Sequence, residues 1–171
     1  MAKLQDVADF FIDTAIKRNE EPMTNLRIQK MLYFAQAHHL QRHGTPLFEE
    51  DMKAWDLGPV VPTLYYYYNV YGRDSIMDVH SSFSLDNFTD DELETLIDVL
   101  RKYGKMKTSE LVNLSHIPGG PWDMTAHNGT IEKKAIKQAF DKEPELAYTV
   151  DAPDLFDGIP IYDCLPKESA E

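Results

Sequence analysis

His39 and His43 stand four residues apart, a spacing that puts two imidazoles on one helix face within reach of a single metal ion. No cysteine lies near them, and Glu49 and Glu50 are close in sequence only. Two histidines without a third ligand are weak grounds for a metal site, and none is assigned. Ser115-His116 and His127 fall in a turn-rich stretch, the kind of segment that often carries catalytic groups. Nucleophilic catalysis also needs a base near the nucleophile and a third group to orient that base. Nothing supplies the third group, so no catalytic residue is assigned and His116 reads as a side chain that fixes a turn. Nucleophile elbow, Walker loop, dinucleotide-binding glycine motif and paired-cysteine zinc motif are all missing. The chain reads as a non-enzyme with no cofactor.

The remaining candidates suit binding rather than turnover. Trp55 and Trp122 each adjoin a Gly/Pro turn, where a large ring clamps a loop onto the core. In Tyr65-Tyr66-Tyr67-Tyr68, Tyr66 points away from the apolar face of its helix. An exposed tyrosine is either an interface anchor or an isolated surface ring. Arg27, Gln29, Lys30 and Gln36 sit in an apolar helix, and their stems are expected to snorkel to water. The sharper alternative is that Gln29 and Lys30 reach a binding site.

The elements that must position these groups are mostly helices. A first helix spans 4–18, with Val7, Phe10, Phe11 and Ala15 on one face. A central helix opens at Thr24 or Asn25 as N-cap and ends near Gly44. Its apolar residues, among them Ile28, Met31, Leu32, Tyr33 and Phe34, point to more than one side, which places it inside the domain. Leu47-Phe48 and Met52–Trp55 flank an acidic turn and suit a small extended element or hairpin. Gly58-Pro59 forces a turn, and Pro62 suits the first turn of the next helix, which stops at Gly72. Thr89 and Glu92 form a capping-box pattern at the head of a further helix. Thr108 caps a short helix, 115–130 is turn-rich, and a last helix spans about 131–141.

One domain with a sizeable core fits 171 residues. The net charge of −12 disfavours a phosphate-binding surface, so nucleic acid is an unlikely partner. No apolar run approaches the ~20 residues that span a bilayer, and the single cysteine, Cys164, suits a reducing cytoplasm. The chain is expected to be cytoplasmic and not membrane-bound. Residues 149–171 carry three prolines and a net charge of −5. They read as an acidic extension following a domain over 1–148. Leu155-Phe156 and Ile159-Pro160-Ile161-Tyr162 give that extension enough apolar surface to dock on something.

Three segments together resemble one family. Thr24-Asn25-Leu26-Arg27-Ile28-Gln29-Lys30-Met31-Leu32-Tyr33-Phe34-Ala35 is similar to its central helix. Ala54-Trp55-Asp56-Leu57-Gly58-Pro59-Val60-Val61-Pro62 is similar to its Trp/Gly-Pro-Val segment. Leu114-Ser115-His116, followed by Gly120-Pro121-Trp122, is similar to its closing segment. The family is the Panacea domain, also called the SocA-like antitoxin domain and found in GepA-type phage-associated proteins. The resemblance implies a bacterial or prophage antitoxin that neutralises a cognate protein toxin by direct contact. For some members it implies an adaptor that delivers the toxin to a ClpXP-type protease. It implies neither a metal nor an organic cofactor.

The sequence thus predicts a mainly α, at most α+β, single-domain bundle around a central helix, with a short β element near 47–56. Partner contacts are expected around Lys30, Tyr33, Trp55, Pro59, Tyr66 and Trp122 and in the acidic extension. Self-association into a homo-oligomer is compatible with this reading.

Overall fold

In a computed structural model, residues 1–18 and 21–146 are described. The helices are α1 (Leu4–Arg18), α2 (Asn25–His43), α3 (Pro62–Tyr67), α4 (Asp90–Tyr103), α5 (Thr108–Ser115) and α6 (Lys133–Phe140). The strands are β1 (Met52–Trp55), β2 (Gly58–Val60) and β3 (Thr130–Ile131). They form one antiparallel sheet in the order β2-β1-β3. The mainly helical architecture with a small β element is the one expected.

α2 runs through the middle, in contact with α1, α4, α5, α6 and β2. Its start is set by Thr24, whose side chain accepts from Arg27 N at 3.2 Å. Its end is set by Gly44 at φ 72°, a left-handed turn that glycine adopts without a Cβ penalty. Ile28, Met31, Leu32, Ala35 and Ala37 are fully buried, and Tyr33 and Phe34 nearly so. Each large apolar side chain among them stabilises the fold by about 1.5–3 kcal/mol. α4 begins on the capping box of Thr89 and Glu92 and closes the far side, with Phe34 stacked on Tyr103 at 4.2 Å.

The polar residues of α2 do not reach water. Arg27, Gln29, Lys30 and Gln36 are all buried, which corrects the expectation that their stems snorkel outward. The reason lies in what crosses the helix. Irregular backbone packed on a buried helix has amides and carbonyls that need partners, and these side chains supply them. Arg27 donates to the carbonyls of Met106 at 2.6 Å and Gly104 at 3.0 Å. Gln36 donates to Phe48 O at 2.9 Å and accepts from Leu47 N at 2.7 Å.

Two local departures share one physical cause, the sheet, and a third lies at the start of α5. β1 pairs across Asp56-Leu57 with β2, and Leu47-Phe48 is buried loop instead of its partner strand. Ile131 pairs with Met52 as β3, so the last helix starts at Lys133 rather than 131. Lys107, not Thr108, is the N-cap of α5. The 73–88 connection is tied back to α1 by a chain of polar groups. His80 Nδ1 lies 3.0 Å from the buried carboxylate of Asp9, and His80 Nε2 lies 2.9 Å from the Tyr67 hydroxyl.

Candidate functional site

The β1–β2 hairpin is the point on which the three signature segments converge. From α2, Lys30 Nζ donates to Pro59 O at 2.7 Å, and Gln29 Oε1 accepts from Val61 N at 2.8 Å. Gln29 Nε2 in turn donates to Asn25 Oδ1 at 3.2 Å, and Asn25 Nδ2 donates to Tyr65 O at 3.0 Å. From the segment after α5, Trp122 Nε1 donates to Trp55 O at 2.7 Å. His116 places Nε2 3.2 Å from Asp56 O and Nδ1 2.7 Å from Val112 O, with its ring edge-on to Trp122 at 3.9 Å. On the other flank, Asn128 N donates to Ala54 O at 2.7 Å and Trp55 Nε1 donates to Asn128 Oδ1 at 3.0 Å. The turn backbone is therefore held from two sides by side chains distant in sequence.

Gly58 is what lets these groups close on the turn. Its φ is 113°, and an added Cβ would lie 2.7 Å from Ser115 Oγ and 2.8 Å from Lys30 Cε. A left-handed backbone and a tight fit both call for glycine. Burial lowers the Lys30 ammonium to about 7, since a charge loses its hydration there. No ion pair offsets that loss among the described residues.

What the clamp displays differs from what makes it. Asp56 and Leu57 project from the turn, Leu57 at 57% exposure. Beside them Trp55, Tyr65 and Tyr66 pack edge to face, Trp55 at 5.1 Å from Tyr65 and 5.9 Å from Tyr66. Tyr66 is 64% exposed. A groove of about 1010 Å³ runs from this cluster to the start of α2, walled by Leu26, Trp55, Leu57, Val60 and Tyr65. Asn25, Asn69, Arg73 and His127 add polar groups along it. His127 Nδ1 faces Asp56 Oδ1 across 3.2 Å at the surface.

The six residues expected at a contact surface thus divide. Trp55 and Trp122 are half-buried, and both use their indole N–H within the clamp. Tyr66 stands open. Lys30, Tyr33 and Pro59 are buried and offer a partner almost no surface. Tyr33 lies apart from the hairpin, edge-on to Phe140 at 5.9 Å, and burial pushes its phenol up. Asp56, Leu57 and Tyr65, which stand beside Tyr66, are not among the six. The signal for Leu57 was an apolar residue at the tip of a two-residue turn, where no core can reach it. His116 fixes a turn, as expected. His39 and His43 lie ring to ring at 4.6 Å, but His39 Nδ1 is engaged by Thr95 Oγ1 at 2.9 Å. No group of three or more metal-ligating side chains occurs among the described residues.

The model of the SocA-like antitoxin family, Panacea domain, matches residues 28–123, which hold the Gln29–Lys30 pair, the hairpin and the His116–Trp122 clamp. The chain belongs to this family. Antitoxin SocA of Caulobacter vibrioides (strain NA1000 / CB15N) is 34% identical over 131 residues, covering 71% of this chain and 69% of that protein. No solved structure matches. Within this Panacea domain, the signature residues hold the hairpin backbone, and Asp56, Leu57 and Tyr66 beside them are exposed. No described helix is long and apolar enough to cross a membrane.

Proposed function

We propose that this Panacea-domain protein is an antitoxin that neutralises a cognate protein toxin by direct contact, through the hairpin tip and the aromatic cluster beside it. The observation that carries the reading is the division of labour at the hairpin. Side chains from three segments fix its backbone, while Leu57 and Tyr66 remain exposed next to a groove. Contact surfaces take much of their affinity from a few aromatic and apolar anchors held rigid before binding. Asp56 sets a carboxylate at the tip, and the chain's −12 charge favours a toxin with a basic face. Neutralisation of this kind is stoichiometric and needs no turnover.

The test is growth of cells induced for the adjacent open reading frame, with the native chain or with Leu57→Ser/Tyr66→Ser. The native chain should rescue growth, and the double variant should fail while melting at the native temperature. Rescue by the folded double variant moves the contact away from the hairpin. The toxin's half-life, followed in the same cells, separates two modes of neutralisation. A stable toxin in a copurified complex supports blocking, whereas a shortened half-life dependent on a ClpXP-type protease makes the chain a delivery adaptor.

A further inference from the structure

A second apolar cleft lies away from the hairpin. Its volume is about 280 Å³, and Tyr33, Phe34, Tyr103, Ile117, Pro121 and Phe140 line it. Ile117 is 51% exposed, so the cleft opens to solvent along an apolar lip. Two lysines, Lys102 and Lys142, stand in its lining against one carboxylate, Glu143. Lys102 sits over the Tyr103 ring at 5.3 Å, Lys142 borders the cleft, and Lys105 follows on the same turn after α4. Glu143 is the acidic group in the lining, and its backbone carbonyl accepts from Gln41 Nε2 at 2.7 Å.

The described chain ends beside this cleft. Arg42 Nη2 donates to Leu146 O at 2.7 Å, and Leu146 packs against the core. His38, which lines the cleft, stands one turn before Arg42 on α2, roughly 6 Å along the axis. Residues 147–171 lie outside the described residues. Their sequence carries net charge −5 and places Leu155-Phe156 and Ile159-Pro160-Ile161-Tyr162 among Asp151, Asp154, Asp157 and Asp163. Leu155 follows Leu146 by nine positions, a reach of up to about 30 Å. Apolar side chains set between carboxylates are what an apolar cleft with an ammonium rim would accept.

We propose that this chain's own acidic extension docks in the cleft, with Leu155-Phe156 as the apolar anchor and the flanking aspartates facing Lys102 and Lys142. The docking is intramolecular and does not depend on the hairpin reading. It covers the exposed Ile117 and the half-buried Pro121 and Phe140 at the mouth of the cleft, which otherwise form an apolar opening to solvent.

The full chain permits a direct test, because Cys164 is its single cysteine and lies within the extension. A nitroxide attached to Cys164 should broaden the amide resonances of Tyr103, Ile117 and Lys142 and leave those of Leu57 and Tyr66 sharp. Leu155→Ser/Phe156→Ser should restore the cleft signals to at least twice their broadened intensity. Lys102→Glu/Lys142→Glu, or high salt, should weaken the broadening. Uniform or absent broadening at the cleft overturns the proposal. So does broadening that appears only when isotope-labelled chains without nitroxide are mixed with spin-labelled ones, which assigns the cleft to the extension of a second copy.

Discussion

Lys30 gives this fold a pH dependence that can be worked out in advance. Its ammonium is fully buried, donates to Pro59 O, and has a pKa lowered from 10.5 to about 7 by loss of hydration. In the unfolded chain the group keeps its ordinary value. Between pH 7 and 10.5 the unfolded state therefore binds the proton more than the native state does. The native fold gains stability as pH rises through this window, and the gain is lost as pH falls to the folded value. One proton corresponds to about 1.4 kcal/mol per pH unit at full difference. From pH 7 to 9.5 the gain is about 3 kcal/mol, or roughly 6–12 °C in Tm for a chain of this size. Stopping at 9.5 keeps clear of Tyr33, Tyr68 and Tyr103, whose raised phenol values would remove stability above pH 10.

The assay is urea denaturation of the native chain and of Lys30→Met at several pH values, compared by slope. Methionine fills a similar space without a charge and leaves Pro59 O unpaired. That lost bond costs roughly 1–3 kcal/mol at every pH, so it shifts the curve without tilting it. Lys30→Met should lose the rise of about 3 kcal/mol that the native chain shows. The hairpin itself should not change shape across the window, because a neutral amine still donates to Pro59 O. Parallel curves for the two proteins would refute the reasoning, since Lys30 would then titrate alike in both states.

Four further outcomes follow from the same geometry. Gly58→Ala should destabilise by roughly 3 kcal/mol, combining a left-handed φ with contacts on Ser115 and Lys30, and chemical denaturation measures it. Trp122→Phe keeps the ring but loses the bond to Trp55 O, so hydrogen exchange at the hairpin amides should accelerate by about tenfold, equivalent to about 1.4 kcal/mol. His80→Ala leaves the buried Asp9 carboxylate with Gln5 as its side-chain partner among the described residues, and should lower stability by about 2 kcal/mol in a urea titration. His38 and His39 are lowered by burial to about 4, so native stability should fall as pH drops from 6.5 towards 4. Imidazole proton shifts that titrate near pH 6.5 in the folded protein would contradict this.

The helices were legible because their signals are local. Thr24 and Gly44 bound α2, Thr89 and Glu92 open α4, and Gly72 stops the segment after α3, all by chemistry within one turn. The sheet was less legible because its pairings are not local. Ile131 looks like the first apolar residue of a helix until Met52, far away in sequence, takes it as a strand partner. The same distance hid the roles of Gln29, Lys30 and Gln36. A polar residue on a buried helix reads as a snorkelling one unless the carbonyl or amide it will meet is known, and Pro59 O, Val61 N and Phe48 O belong to other segments. Tyr66 was readable as exposed from helical period alone, whereas Asp56 and Leu57 needed the turn to be placed.

A recognisable motif is easily taken for a contact surface, and this hairpin separates the two. Lys30, Gln29, His116 and Trp122 each place a hydrogen-bonding atom on the backbone between Trp55 and Val61. Lys30 and Gln29, fully buried with these bonds made, have no surface left for a partner. Asp56 and Leu57 stand on the held backbone and Tyr66 beside it on α3; the contacts their substitution removes among the described residues are the ring contacts of Tyr66 with Trp55 and Tyr65 and the surface pair of Asp56 with His127. Substitutions of the first kind should therefore fail through hairpin exchange and stability before binding is reached. Those of the second kind should fail in binding alone. A partner interface built on such a scaffold can change its displayed residues without disturbing the fold, because the energy that fixes the turn comes from behind it.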